Sequence, residues 1–190
     1  MSEPTTFDAI VIGSGITGGW AAKELTEKGL KTLVLEAGRN IVPEEDYAEH
    51  VPQWEMKFRG MGDRRKLAEE QPIQSACYAC DEWSSKFFIK DKEHPYATDQ
   101  GKPFRWIRGR QVGGRSITWG RQSYRWSDLD FEANLREGIA IDWPIRYADI
   151  APWYDYVEQF AGISGEALGL PQLPDSKFLP PMNLNSKTPR

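Results

Sequence analysis

The chain has 190 residues, with 24 lysines and arginines against 28 acidic residues for a net charge of −4, and only two cysteines and two histidines. A mildly acidic protein with a pI near 5.3 offers no electrostatic basis for binding nucleic acid. The longest apolar stretches are strand-sized, and the first six residues carry no basic segment followed by an apolar one, so neither direct membrane insertion nor a signal peptide is expected.

The first predicted element is a short buried strand, Phe7-Asp8-Ala9-Ile10-Val11-Ile12. It runs into the loop Gly13-Ser14-Gly15-Ile16-Thr17-Gly18, and Trp20-Ala21-Ala22-Lys23-Glu24-Leu25 reads as a helix opening. That context turns a glycine pattern into a dinucleotide site. Gly13 permits a tight turn, Gly15 lets the backbone approach a pyrophosphate, and Gly18 lets the helix pack closely on the strand. The phosphates would face a helix N-terminus, whose unpaired N–H groups and positive dipole end need no lysine to hold an anion.

After the Lys28-Gly29 turn comes a second strand, Lys31-Thr32-Leu33-Val34-Leu35-Glu36, ending in an acid eighteen positions beyond Gly18. That spacing suits a carboxylate that accepts ribose hydroxyls and repels a 2′-phosphate; the plainer alternative is a solvated acid at a strand end.

Residues 40–105 are rich in charge, aromatics and turn formers and read as a long excursion between sheet elements, with weak helical periodicity such as Tyr47 to Met56. Within it, Arg64-Arg65-Lys66 followed by Glu69-Glu70 reads as a solvated helical face. Cys77-Tyr78-Ala79-Cys80 is a Cys-x-x-Cys pair, but zinc takes four ligands and no second pair exists, so inert thiols or a local disulfide are expected and no metal. His50 and His94 read as surface or loop histidines.

A second glycine loop runs from Gly109 to Gly120 as Gly109-Arg110-Gln111-Val112-Gly113-Gly114-Arg115-Ser116-Ile117-Thr118-Trp119-Gly120. Gly113 and Gly114 allow a backbone turn against a cofactor, and Arg110 and Arg115 have the reach for phosphate or a flavin edge, surface salt bridging being the alternative. One such loop suggests a nucleotide, and two together suggest FAD. Of the eight tryptophans most read as packing, and Trp119 stands apart because it lies inside this loop.

Further on, a helix is expected from Asp128 to Arg136, a turn at Trp143-Pro144, and a helix from Tyr147 to about Phe160 with Ile150, Trp153, Tyr154 and Val157 at helical spacing. The tail from Leu168 to Arg190 holds five prolines and should be extended or irregular. The resulting fold class is α/β: a Rossmann-like βαβ start, residues 1–165, with a long excursion, followed by a Pro-rich tail, residues 166–190. A doubly wound sheet needs further parallel strands, so a fragment of a longer protein is expected.

Gly13 to Gly18 with Leu35-Glu36-Ala37-Gly38, the second glycine loop, and Asp142-Trp143-Pro144 together resemble the N-terminal part of the glucose-methanol-choline (GMC) family of FAD oxidoreductases, and most closely its bacterial sugar dehydrogenase branch. The resemblance covers most of the chain. It implies hydride transfer from a CH–OH group of a sugar or sugar-like alcohol to flavin N5, with a proton-abstracting histidine near the C-terminus of a much longer chain; no catalytic residue is assigned here. It places Arg110, Gly113, Gly114, Ser116, Trp119 and Gly120 along the ribityl chain and isoalloxazine. Relatives with covalent flavin carry a histidine at the position of Thr118, which implies noncovalent FAD. The iron–sulfur cluster of some family members needs more cysteines than this chain has. A small partner subunit and a cytochrome c or quinone acceptor are implied, with a cytoplasmic location expected and periplasmic co-export as the alternative. An NAD-dependent dehydrogenase domain using the first loop alone, and an inactive fragment, are the competing readings.

Overall fold

The computed structural model describes residues 5–47, 52–60 and 62–182. Its first element is β1 (Ala9–Ile12), which pairs in parallel with β2 (Thr32–Leu35), Ala9 opposite Thr32 and Ile12 opposite Leu35. Helix α1 (Ile16–Glu27) makes the crossover. Its C-terminus is closed by Gly29 at φ 84, with the Gly29 N–H donating to the Thr26 carbonyl and the Leu30 N–H to the Leu25 carbonyl. That pair of bonds satisfies the last carbonyls and turns the chain into β2. The chain is thus mixed α/β, and among the described residues the sheet is this one parallel pair.

The helix opens at Ile16, four residues earlier than predicted, with Gly18 and Gly19 inside it. Glycine is a poor helix former, but a Cβ on Gly18 would lie 2.0 Å from the Gly13 carbonyl oxygen, so the close fit of helix on loop outweighs propensity. Only Val11 of the two strands is buried; Ile12 is 85% exposed and Ile10 is exposed too. Parallel strands are ordinarily covered on both faces, and here much of that apolar surface is open.

The chain divides into two compact units, Met1–Gly120 and Arg121–Arg190. In the first, the excursion folds largely without regular structure, around buried polar side chains. Helices α2 (Pro43–Asp46) and α3 (Arg64–Glu70) are short, and the Asp63 carboxylate caps α3 by accepting from Arg65 N and Lys66 N. Gln74 is fully buried: its amide donates to Asp91 and to the Trp106 carbonyl, and its oxygen accepts from Arg108 N at 2.9 Å. Asp91 in turn accepts from Ile73 N and Gln74 N. With every polar atom of Gln74 engaged, the network costs little in desolvation and fixes residues 106–108, which lead into the second glycine loop.

Three expectations meet the structure here. Arg64, Arg65, Lys66 and Glu69 are exposed, as a solvated face requires, and the Arg64 guanidinium also donates to the carbonyls of Ser75 and Cys80. The stretch from Tyr47 to Met56 lies partly outside the described residues, and beyond that gap it shows a single 3₁₀ turn, Gln53–Glu55. Cys77 and Cys80 are free thiols in a turn where Cys80 N donates to the Cys77 carbonyl; Cys80 is buried, and burial pushes its thiol up to about 11.

In the second unit, the helix expected over 128–136 is two helices, α4 (Asp128–Phe131) and α5 (Ala133–Glu137), parted at Glu132, whose φ −94 and ψ 0 lie outside the helical well. Ser127 and Asp130 form a capping box that starts α4. Helix α6 (Tyr147–Ala161) matches its expected span and ends at Gly162 at φ 71. Its faces differ from the periodicity reading: Trp153 is 65% exposed, whereas Glu158 is buried against Arg125. The Arg125 side chain is 4% exposed and meets Glu158, Asp155 and Tyr147 Oη. Burial opposes its charge, but those bonds raise its pKa above the usual arginine value. Residues 163–182 carry no helix, and Leu179 exchanges backbone hydrogen bonds with Ile163 and Gly165.

Candidate dinucleotide site

The first loop leaves β1 at Gly13, which adopts φ 86 and donates to the Leu35 carbonyl at 2.7 Å. A Cβ on Gly13 or on Gly15 would meet nothing within 4 Å, so both glycines border open space. Gly15 is the N-cap of α1; no side chain caps that end and no acid occupies its first turn, where Ile16 and Thr17 are exposed. The N-terminus of a 12-residue helix therefore presents unsatisfied N–H groups toward an open cradle, the donor set a pyrophosphate needs.

Glu36 follows directly on β2 and is held in place rather than solvated. Its Oε2 accepts from Ser14 N at 2.8 Å and from Ser14 Oγ at 2.7 Å, and its Oε1 accepts from Gly38 N at 2.7 Å. The Ser14 hydroxyl first, then the backbone donors of Ser14 and Gly38, hold its carboxyl below the usual range. A carboxylate offers about four lone-pair sites, so acceptor capacity remains on Oε1 for a ribose hydroxyl.

The second loop docks on this assembly. Gly113 at φ 84 donates its N–H to Ser14 Oγ at 3.0 Å, and a Cβ on Gly114 would stand 3.3 Å from Gly15 Cα. Gln111 is buried and bridges to Arg39 in parallel fashion, with Val112 N donating to the Arg39 carbonyl. Ser116 Oγ donates back to the Gly113 carbonyl, closing the 3₁₀ turn Gly114–Ile117. The loops that lie 99 residues apart at Ser14 and Gly113 thus form one surface.

Not every expected residue converges there. Arg110 donates to the Ala37 carbonyl and lies 2.8 Å from His94 Nδ1, at a cleft of about 500 Å³ that Lys86 and Lys90 also line. Arg115 is exposed and donates to the Ile107 carbonyl. Trp119 and Gly120 are exposed at the end of the loop, and Thr118 donates to the Arg115 carbonyl. His50 lies outside the described residues. Gly38 and Gln111, which clamp the two loops together, carry no signal at sequence level beyond the Leu35-to-Gly38 run. Among the described residues no group of three or more potential metal ligands exists, and no helix is long and apolar enough to cross a membrane.

No family model matches the chain. Several curated proteins do. The 2-methyl-1,2-propanediol dehydrogenase of Mycolicibacterium austroafricanum is 30% identical over 174 residues, 88% of this chain and 26% of the relative. The fructose dehydrogenase large subunit of Gluconobacter japonicus is 27% identical over 172 residues, 86% of this chain and 28% of the relative. The gluconate 2-dehydrogenase flavoprotein of Pantoea cypripedii is 27% identical over 186 residues, 87% of this chain and 27% of the relative. The chain spans about a quarter of the length of these relatives.

The class these relatives belong to by name is that of the dehydrogenases, one of them a flavoprotein. Within that class, the resemblance to the GMC oxidoreductases carried by the two loops is borne out over most of the chain.

Proposed function

We propose that this chain is the FAD-binding part of a GMC-type dehydrogenase that oxidises a CH–OH group of a sugar or sugar-like alcohol, with β1, α1 and β2 as the start of a doubly wound domain. The observation that carries the reading is the docking of the second loop on the first, with Gly113 N on Ser14 Oγ and Gly114 against Gly15. A nicotinamide domain built on the first loop alone gives that contact no task.

FAD supplies the hydride acceptor when bound. The open amides at the start of α1 bind its pyrophosphate, and Glu36 accepts the adenosine ribose hydroxyls while repelling a 2′-phosphate. The second loop, through Gly113, Gly114 and Ser116, would hold the ribityl chain and isoalloxazine. Thr118, where covalent relatives carry histidine, makes the attachment noncovalent. No residue of this chain is assigned as the proton-abstracting base.

The relatives named for a propanediol, fructose and gluconate support a polyhydroxylated substrate. The one named as a large subunit supports a small partner subunit, and cytochrome c or a quinone is proposed as the electron acceptor. The reading places the chain in the cytoplasm, or in the periplasm through co-export with such a subunit. The test is to titrate the purified chain with FAD and separately with NAD, following flavin fluorescence and nicotinamide competition. Saturable FAD binding without response to NAD is expected; NAD binding alone would transfer the site to a nicotinamide enzyme.

A further inference from the structure

We propose that the Ser14 hydroxyl is a positioning group that couples the two glycine loops, so that the carboxylate gripping the adenosine ribose also sets the second loop. This rests on the FAD reading above and assigns Ser14 a role beyond contact with phosphate.

The direction of the chain of bonds is fixed by chemistry. Glu36 as a carboxylate only accepts, so the single hydroxyl proton of Ser14 goes to Glu36 Oε2 at 2.7 Å. The Gly113 amide only donates, so it takes a lone pair of the same hydroxyl at 3.0 Å. The result is a relay, amide to hydroxyl to carboxylate, in which each bond polarises the next. Gly113, at φ 84, is the N-cap of the 3₁₀ turn and lies outside any helical or strand ladder, so its N–H relies on that anchor.

Removing the hydroxyl separates two effects. Glu36 loses one of its three donors and keeps the backbone donors Ser14 N and Gly38 N, at 2.8 and 2.7 Å. Gly113 N–H loses its acceptor. Ser14→Ala should therefore free the second loop and weaken the adenosine grip to a smaller degree. ADP carries the adenosine ribose and pyrophosphate but nothing that reaches the second loop, whereas FAD spans both loops.

The experiment measures amide hydrogen exchange over residues 110–117, and FAD and ADP affinities, for the full chain and its S14A variant. In S14A, exchange at Gly113 should rise roughly threefold to tenfold, the span of one net hydrogen bond, with a similar loss for FAD and a smaller one for ADP. Unchanged Gly113 exchange, or equal losses for FAD and ADP, would overturn the coupling. If neither ligand binds the unsubstituted chain while S14A still frees Gly113, the FAD reading falls and the coupling stands. Should S14A loosen α1 as well, the unsubstituted chain decides: bound ADP should slow exchange at Gly113 through Glu36 and Ser14, and ADP that binds without slowing it overturns the proposal.

Discussion

Gly38 and Gln111 meet backbone to backbone: a Cβ built on Gly38 would stand 2.3 Å from both the Cα and the amide nitrogen of Gln111. No rotamer change relieves such a clash, because the opposing atoms are main chain. Gly38→Ala should destabilise the first unit by about 1–3 kcal/mol, the usual cost of overpacking, and should undock the second loop. A melt that matches the unsubstituted chain would show that the junction between residues 37–39 and 110–112 yields easily.

Glycines of the first loop divide by what surrounds them. A Cβ on Gly18 would lie 2.0 Å from the Gly13 carbonyl oxygen, whereas one on Gly15, at φ −64, meets nothing within 4 Å. Gly18→Ala should therefore lower the melting temperature. Gly15→Ala should cost under about 1 kcal/mol of stability as an altered N-cap, yet sharply weaken FAD by filling the cradle. Parallel thermal melts and FAD titrations check the pair, and equal effects on both readouts would contradict the division.

The buried ion pair of the second unit gives a prediction of another kind. Arg125 and Glu158 are 4% and 7% exposed and 2.5 Å apart. Replacing one partner strands a buried charge, so Arg125→Met should destabilise this unit by about 3–5 kcal/mol in urea unfolding. The double variant Arg125→Met with Glu158→Leu should recover much of that loss, since well-packed apolar groups often replace a buried pair without penalty.

Acid sensitivity should centre on Asp46. The Arg39 guanidinium, and then the Val42 N–H, hold its carboxyl at about 2 against 3.8 in the unfolded chain. A depressed folded pKa favours the folded state above the unfolded value, and that contribution fades as pH falls from about 4 through about 2. A carboxyl-carbon NMR titration should find Asp46 ionised at pH 3, and Arg39→Ala should raise its titration toward that of an ordinary aspartate, the Val42 N–H still holding it somewhat lower.

The βαβ start was legible because its signals are local: an apolar strand, a glycine loop and an acid at fixed spacing all lie within thirty residues. The helix start was misread by four residues because tertiary fit at Gly18 overrode glycine's low propensity. What pairs at long range left no trace. Arg125 with Glu158, 33 residues apart, turns a polar residue of α6 inward where periodicity favoured Trp153. Arg64, read as part of a charged face, spends its donors on two carbonyls that only the folded excursion brings near. At the candidate site, the residue types of both loops were readable, but the bond from Gly113 to Ser14 and the inward grip on Glu36 depend on a turn conformation that spacing does not encode.

The central claim is that the two loops and Glu36 form one FAD site. The most direct measurement is a fluorescence titration of FAD against the purified chain and against its Glu36→Ala variant. The account predicts saturable binding that Glu36→Ala weakens strongly. FAD binding indifferent to that substitution, or none at all alongside tight NAD binding, would contradict it.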